Sequence, residues 1–242
     1  MVEQPVENVF VRAWGLLTRN WIIIVPGVIV GIVVGLVRAL LTPTVYVVGS
    51  DVTVTRMGVG GGLLIGLVAL IGYIITVAYT TGMAGAAWAR GTTTLADGTT
   101  AFQRNSVVVG LGLIVLALVA ALIAFPTLGL SLLAFYLFTL YAFPSAIVGD
   151  RQAMDAITES FRLTIARFVP TLIIAVVIAV LSVIGGVIGA AFSFTPLIGP
   201  IVGAVITQAV VAYATLVIVG EYLNLRAANK IPPAPPAAAP PA

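Results

Sequence analysis

The chain has 242 residues, of which 61% are hydrophobic and 8% charged, with a net charge of +3 and a mean hydropathy of +1.20. An ordinary soluble domain carries roughly 25% charged residues, so lipid is the expected solvent. The chain has no cysteine and no histidine, which excludes disulfide scaffolds, thiol chemistry, Ser-His triads and histidine metal sites, and its basic residues are dispersed rather than clustered, which leaves nucleic-acid binding without support.

Met1 to Pro5 carries an acid and no base, unlike a secretory leader, so the first apolar run is expected to stay as a helix. Residues 6–20 (VENVFVRAWGLLTRN) are amphipathic. Val6, Phe10, Trp14 and Leu17 recur at helical spacing, with Glu7, Arg12 and Arg19 elsewhere on the wheel, which predicts a helix lying in the membrane interface. The first span is expected over residues 21–41, opened by Trp21. Gly27, Gly31 and Gly35 form a stripe along it that would admit a close helix neighbour, expected within the same molecule. Residues 42–61 are a polar loop in which Val and Thr alternate about Gly49-Ser50-Asp51, the pattern of a small β-hairpin outside the membrane. The Gly58 to Gly62 cluster lacks the acidic residue about 20 positions on that a dinucleotide fingerprint needs, and reads as flexible loop.

Further spans are expected over residues 62–88, 106–125, 128–148, 169–193 and 200–224, with Pro126 and Gly129 marking the turn between the third and fourth. Residues 231–242 (IPPAPPAAAPPA) cannot build a core and read as a disordered polyproline-like tail, leaving residues 1–230 as one membrane domain. Six spans put both termini and both longer internal loops on one side. That side holds Arg12, Arg19, Arg90, Arg104, Arg151, Arg162, Arg167, Arg226 and Lys230, against Arg38 and Arg56 opposite. The positive-inside rule then makes both termini cytoplasmic, in a plasma membrane whose inner leaflet of anionic lipid would attract the basic residues. The junctions "LLTRNW" (16–21), "AFQRNS" (101–106) and "TIARFV" (164–169) suggest a repeat. The expected fold is therefore all-α: six transmembrane helices as three hairpins, each preceded by a short interfacial amphipathic helix.

One stretch is out of character. Six of the 19 charged residues fall in residues 149–168: Asp150, Arg151, Asp155, Glu159, Arg162 and Arg167. The flanking residues, Asn105 to Gly149 and Phe168 to Gly220, carry no charge. A helix starting after an Asp150 N-cap would put acid early and base late, as the helix dipole favours. Met154, Ile157, Phe161, Thr164, Ile165 and Phe168 would share one face, and Asp155, Glu159, Arg162 and Ala166 the other. Arg151 with Asp155, and Glu159 with Arg162, are spaced to pair. The segment reads as a cytoplasmic interfacial helix joining two hairpins. The functional alternative is a docking face or polar network formed by Asp150, Asp155, Glu159, Arg162, Arg167, Glu221 and Arg226. Gln208, near mid-membrane, reads as interhelical glue.

The sequence "YAFPSAIVGDRQAMDAITESFRLTIARF" resembles the core of a broad group of prokaryotic membrane proteins related to the membrane domain attached to some glycerophosphoryl diester phosphodiesterases. The likeness rests on Pro144, Asp150, Ala156, Ser160 and Arg167, and on the Tyr222 to Arg226 ending; it covers about residues 100–228. It implies a six-helix membrane domain without an assigned reaction. The chain departs from the fused members in having no phosphodiesterase barrel and no histidine, so it is not expected to hydrolyse glycerophosphodiesters. No catalytic, metal or cofactor residue is expected. The spans nearly lack ionisable residues, which disfavours ion-coupled transport but not a neutral or lipid-like substrate. The expected function is a non-catalytic membrane scaffold, accessory subunit or lipid-handling module, with the bilayer and a protein as partners. A transporter component for a small neutral or lipid-like solute is the alternative. An intramembrane enzyme, relying on Asp150, Asp155, Glu159 or Glu221, has the least support.

Overall fold

A computed structural model of the chain describes residues 5–41, 45–48, 51–54, 59–103, 106–192 and 198–228. Arg56, Gly58, the Arg104-Asn105 junction, residues 193–197, Lys230, the tail and the side chain of Asp51 lie outside the described residues.

Helix α1 (Val6–Arg19) is followed by a 3-10 turn at Trp21–Ile24 and by α2 (Val25–Leu41). Strands β1 (Val45–Val48) and β2 (Asp51–Val54) pair antiparallel, Val45 opposite Val54. Helix α3 (Val59–Arg90) runs 32 residues and is followed by the short α4 (Leu95–Thr99). Then come α5 (Ser106–Leu122), α6 (Leu130–Thr139), α7 (Ala142–Ile147), α8 (Ala153–Ala166), α9 (Phe168–Phe192) and α10 (Ile198–Ala227). Apart from the strand pair the described elements are helical. Five segments are long and apolar enough to cross a bilayer: 21–41, 61–90, 130–147, 168–192 and 201–227. Helix α5, of 17 residues, would make a sixth together with the segment before it. The chain has the make-up of a multi-pass membrane protein.

Three expectations are corrected here. The glycines at 60–62 are helical and belong to the first turn of α3. Glycine weakens a helix in water, but in lipid every backbone group must be satisfied internally, which favours continuing the helix. The fourth span is not continuous: it breaks between Thr139 and Ala142. The glycine stripe of α2 is only partly used. Gln208 of α10 fills the space a Cβ on Gly27 would need, but a Cβ on Gly31 or Gly35 would meet nothing within 4 Å. Crossing helices diverge from their contact point, so a four-residue repeat meets its neighbour once. The closer approach of α2 to α3 uses Gly72, where a Cβ would lie 2.6 Å from Val30.

Two of the three junctions share a backbone geometry. Asn20, after α1, has φ −125° and ψ 49°; Arg167, after α8, has φ −133° and ψ 47°. Each N–H closes its helix onto the residue four back, Leu16 or Leu163. Both helices have 14 residues and each turns at this point into a long apolar helix. Asn20 also fastens α1 to the segment after α3: its Nδ2 donates to the Gly91 carbonyl at 3.1 Å and its Oδ1 accepts from the Thr93 N–H at 3.0 Å.

The buried core lies toward the end that carries α1 and α8, and α10 runs through its middle. Tyr141, Tyr222, Met83, Leu216 and Leu225 are fully buried there. Trp88 of α3 lies against Gly220 and donates from Nε1 to the Leu216 carbonyl at 2.9 Å, while Arg12 stacks 4.6 Å from its ring. Towards the other end, helices α9 and α10 meet at Gly189 and Gly203, where a Cβ on Gly189 would come within 3.3 Å of the facing Cα. Here large side chains such as Leu36, Leu63 and Val183 point outward, as lipid permits. At the α5–α6 turn, Leu128 and Gly129 take positive φ of 50° and 83°, and Phe125 and Leu128 are each 93% exposed.

Candidate functional site

The charged stretch folds as a helix, but with the wheel turned. Ala156, Ile157, Ser160, Leu163 and Thr164 of α8 are buried, while Met154 and Ile165 are exposed. Ile157 and Leu163 pack inward together with the small and hydroxyl-bearing residues, while Met154 and Ile165 face out. α1 behaves alike: Val9, Ala13, Leu16 and Leu17 are buried, while Trp14 points out beside Tyr213. Asp150 is not the N-cap. Gln152 holds that position, and Asp150 sits at φ 57° in the preceding turn. That turn is held by the backbone: Val148 and Gly149 N–H groups both donate to the Pro144 carbonyl at 2.9 Å, and the Arg151 N–H to the Ser145 carbonyl.

The expected i,i+4 pairing is also replaced. Arg151, just ahead of the helix, donates from Nε to Glu159 Oε2 at 2.6 Å, with the two side chains 8% and 11% exposed. The other carboxylate oxygen accepts from the Tyr222 hydroxyl at 3.1 Å. One carboxylate thus ties the turn before α8 to α10. Gly149 lies against the Tyr222 hydroxyl, where any side chain would collide. Arg226 donates to the Val148 carbonyl at 3.2 Å, and Glu221, only 1% exposed, accepts from Asn224 at 3.2 Å. Of the seven residues expected to form a polar network, the structure sets Glu159 on the Tyr222 hydroxyl and Arg226 on the neighbouring turn, with Glu221 buried one residue before Tyr222 and bonded to Asn224. Asp155 and Arg162 are on the exposed face of α8; Asp150 is in the turn before it, and Arg167 is at the α8–α9 junction. Arg151, Tyr222 and Asn224 complete the layer.

A second layer lies just inside the first. Pro144 has no N–H to give the Leu140 carbonyl, and the helix opens around Tyr141. The backbone groups freed by the opening are taken up by α8. Ser160 Oγ donates to the Phe138 carbonyl at 2.7 Å and accepts from the Tyr141 N–H at 3.0 Å. Thr164 Oγ1 donates to the Leu137 carbonyl at 3.0 Å, and the Tyr141 hydroxyl meets Thr171 Oγ1 at 3.1 Å. Ser160 and Thr164 are four residues apart and so share one face of α8.

The broken helix forms part of the wall of a chamber. A cavity of about 340 Å³ lies between α3, α5, α6, α7, α9 and α10, and Thr139 and Leu140 at the break line it. Its lining is apolar apart from Tyr73, Tyr136, Thr139, Ser182 and Thr215, and includes no acid or base bearing a charge. The three smaller hydroxyls donate into their own helices, Thr139 to Phe135, Ser182 to Ile178 and Thr215 to Val211, at 2.7–2.9 Å. The chamber therefore offers an apolar surface in the size range of ligand pockets, roughly 300–1,000 Å³.

Beyond this site, Asp97 begins α4 as a small polar knot. It accepts from Arg90 at 2.6 Å and from the N–H and hydroxyl of Thr94 at 2.7 and 3.0 Å. Partial burial pushes its carboxyl up, but the hydrogen bonds from Arg90 and Thr94 together with the Arg90 charge outweigh this and hold it below the usual carboxylate range. Among the described residues no three carboxylates gather as they would around a metal ion. No family model, curated protein or solved structure matches the chain.

Proposed function

We propose that this chain is a non-catalytic, lipid-handling protein of the plasma membrane, which admits a neutral, lipid-like molecule from the bilayer into the chamber. The observation that carries this reading is the chamber itself: apolar, inside the membrane-spanning part, and free of charged side chains. The cytoplasmic layer then serves as its support. Glu159, next to Ser160 on α8, is engaged by Arg151 and Tyr222, which leaves it poorly placed as a general base. Six spans with both termini cytoplasmic, and the strand pair outside, remain part of the proposal. It is supported by the basic residues of α1, α8 and the end of α10 lying on elements that contact one another at one end. Kinship with the phosphodiesterase-linked membrane domains belongs to the proposal too; its support is that two residues of the quoted stretch act on one feature, Pro144 beside the α6–α7 break and Ser160 bonded across it.

Transport of the same class of molecule is the second reading. It is favoured by the broken helix, since irregular backbone at membrane depth is tolerated where it is buried in protein or lines a cavity. The test is native mass spectrometry of the full chain in nanodiscs made directly from its own membrane. A lipid-like mass retained by the wild type and lost on filling the chamber with Ala117→Trp is expected. No retained mass, or a stoichiometric protein partner in its place, would overturn lipid handling in favour of a scaffold. Saturable flux of the retained molecule in proteoliposomes would establish the transport reading.

A further inference from the structure

We infer that the chamber binds a neutral apolar molecule carrying a carbonyl oxygen, of the ester or ketone class, which accepts hydrogen bonds from Tyr73 and Tyr136. The inference rests on the lipid-handling reading and adds the ligand's polar group. Five hydroxyls line the cavity, and three are already committed to their own helices. A serine or threonine side chain is short enough to reach the carbonyl one turn back; a tyrosine hydroxyl is carried too far from its own backbone to do so. Among the described residues, neither the Tyr73 nor the Tyr136 hydroxyl donates to a protein acceptor.

A hydroxyl in the hydrocarbon region has no water to fall back on, and buried tyrosine hydroxyls find an acceptor. Two such donors in the lining of one apolar cavity call for an acceptor brought by the occupant. A carbonyl oxygen has two lone pairs and fits two donors. A carboxylate or phosphate does not fit, because no cation lines the chamber to offset its charge. Position suggests the route. Tyr73 on α3 is 58% exposed, whereas Tyr136 on α6 is half-buried. An apolar chain entering from the bilayer passes Tyr73 before reaching Tyr136. At about 340 Å³ the cavity is at the small end for ligands, which favours one chain over a whole two-chain lipid.

The test uses the full chain in nanodiscs and three photoreactive diazirine probes of equal length: a fatty acid methyl ester, the matched hydrocarbon and the matched free acid. Crosslinks are mapped by peptide mass spectrometry. The ester is expected to label chamber-lining residues about three- to tenfold more than the hydrocarbon, the range one neutral hydrogen bond supplies. In Tyr73→Phe/Tyr136→Phe the ester should fall to the hydrocarbon level. Equal labelling of the wild type by ester and hydrocarbon overturns the carbonyl assignment and leaves lipid handling standing; this comparison needs no variant to fold. Ester labelling that persists in a folded double variant likewise overturns it. Preferential labelling by the free acid overturns the neutral class. No chamber labelling by any probe overturns both this inference and the lipid-handling reading.

Discussion

Replacing Ser160 by alanine tests how the chamber wall is held. The side chain is fully buried, and its single oxygen serves a carbonyl and an N–H of the broken helix. Without it the Phe138 carbonyl and Tyr141 N–H lose a partner in a place water does not easily reach. Each buried unsatisfied group costs about 1–3 kcal/mol, and partial closing of the helix recovers some of that, so about 2–4 kcal/mol is expected. For a chain of this size that corresponds to a fall of about 4–16 °C in melting temperature. The control is Ser182→Ala. That hydroxyl donates only to the Ile178 carbonyl of its own helix, which keeps its backbone donor, so about 0–0.5 kcal/mol is expected. Thermal unfolding of both variants in the same detergent, with amide exchange over residues 137–142, measures the difference. A Ser160→Ala protein melting within about 2 °C of wild type, with unchanged exchange, would refute the assignment of this oxygen as the bridge across the break.

The Arg151–Glu159 pair should behave as a buried ion pair. Arg151→Gln alone should cost about 3–5 kcal/mol because it strands the carboxylate, and Arg151→Gln/Glu159→Gln less than the sum of the singles, read as a coupling energy in a double-mutant unfolding cycle. Asp97 has a folded pKa below its unfolded one, so its contribution is present in full above the unfolded value near 4 and is lost as pH falls through the depressed folded value. Amide exchange across the α3–α4 connection should therefore quicken as pH is lowered through that window, after correction for intrinsic rates, and Asp97→Asn should flatten the response.

What could be read in the sequence was mainly where lipid begins and ends. The uncharged runs on either side of residues 149–168 correspond to α5–α7 and α9–α10, and the basic junctions at Arg19 and Arg167 lie at or next to the two matching breaks. The faces of α1 and α8 were only partly legible: Val6, Phe10, Leu17, Ile157 and Thr164 share the expected faces and pack inward, whereas Trp14, Met154 and Ile165 on the same faces do not. The wheel was read as one apolar face set into the headgroups and one polar face, which does not separate the residues that pack on other helices from those that meet lipid. Against a bilayer large apolar residues can stay outside, and small or hydroxyl side chains pack between helices. Trp14, Met154 and Ile165 accordingly point out, and Ala13, Ala156, Ser160 and Thr164 point in. Pro144 was a visible signal for the break, but its rescue by Ser160 and Thr164 joins residues about 20 or more positions apart and leaves no local pattern. The chamber depends on the packing of six helices and on a few small residues, and no periodicity encodes it.

The unequal lengths of the helices have a consequence for the membrane itself. At about 1.5 Å per residue, α3 and α10 reach about 48 and 45 Å, whereas α5 reaches only about 26 Å, short of a hydrocarbon core of about 30 Å. The α5–α6 turn carries Phe125 and Leu128 almost wholly uncovered, and neither gains by meeting water. Lipid must come down to meet them. The leaflet on that side is then pinched beside α5 and stays at full depth beside the taller helices, so the protein sits in a dimple of its own making. The energy of such a dimple rises with the thickness of the surrounding bilayer, which makes thin membranes the more comfortable host.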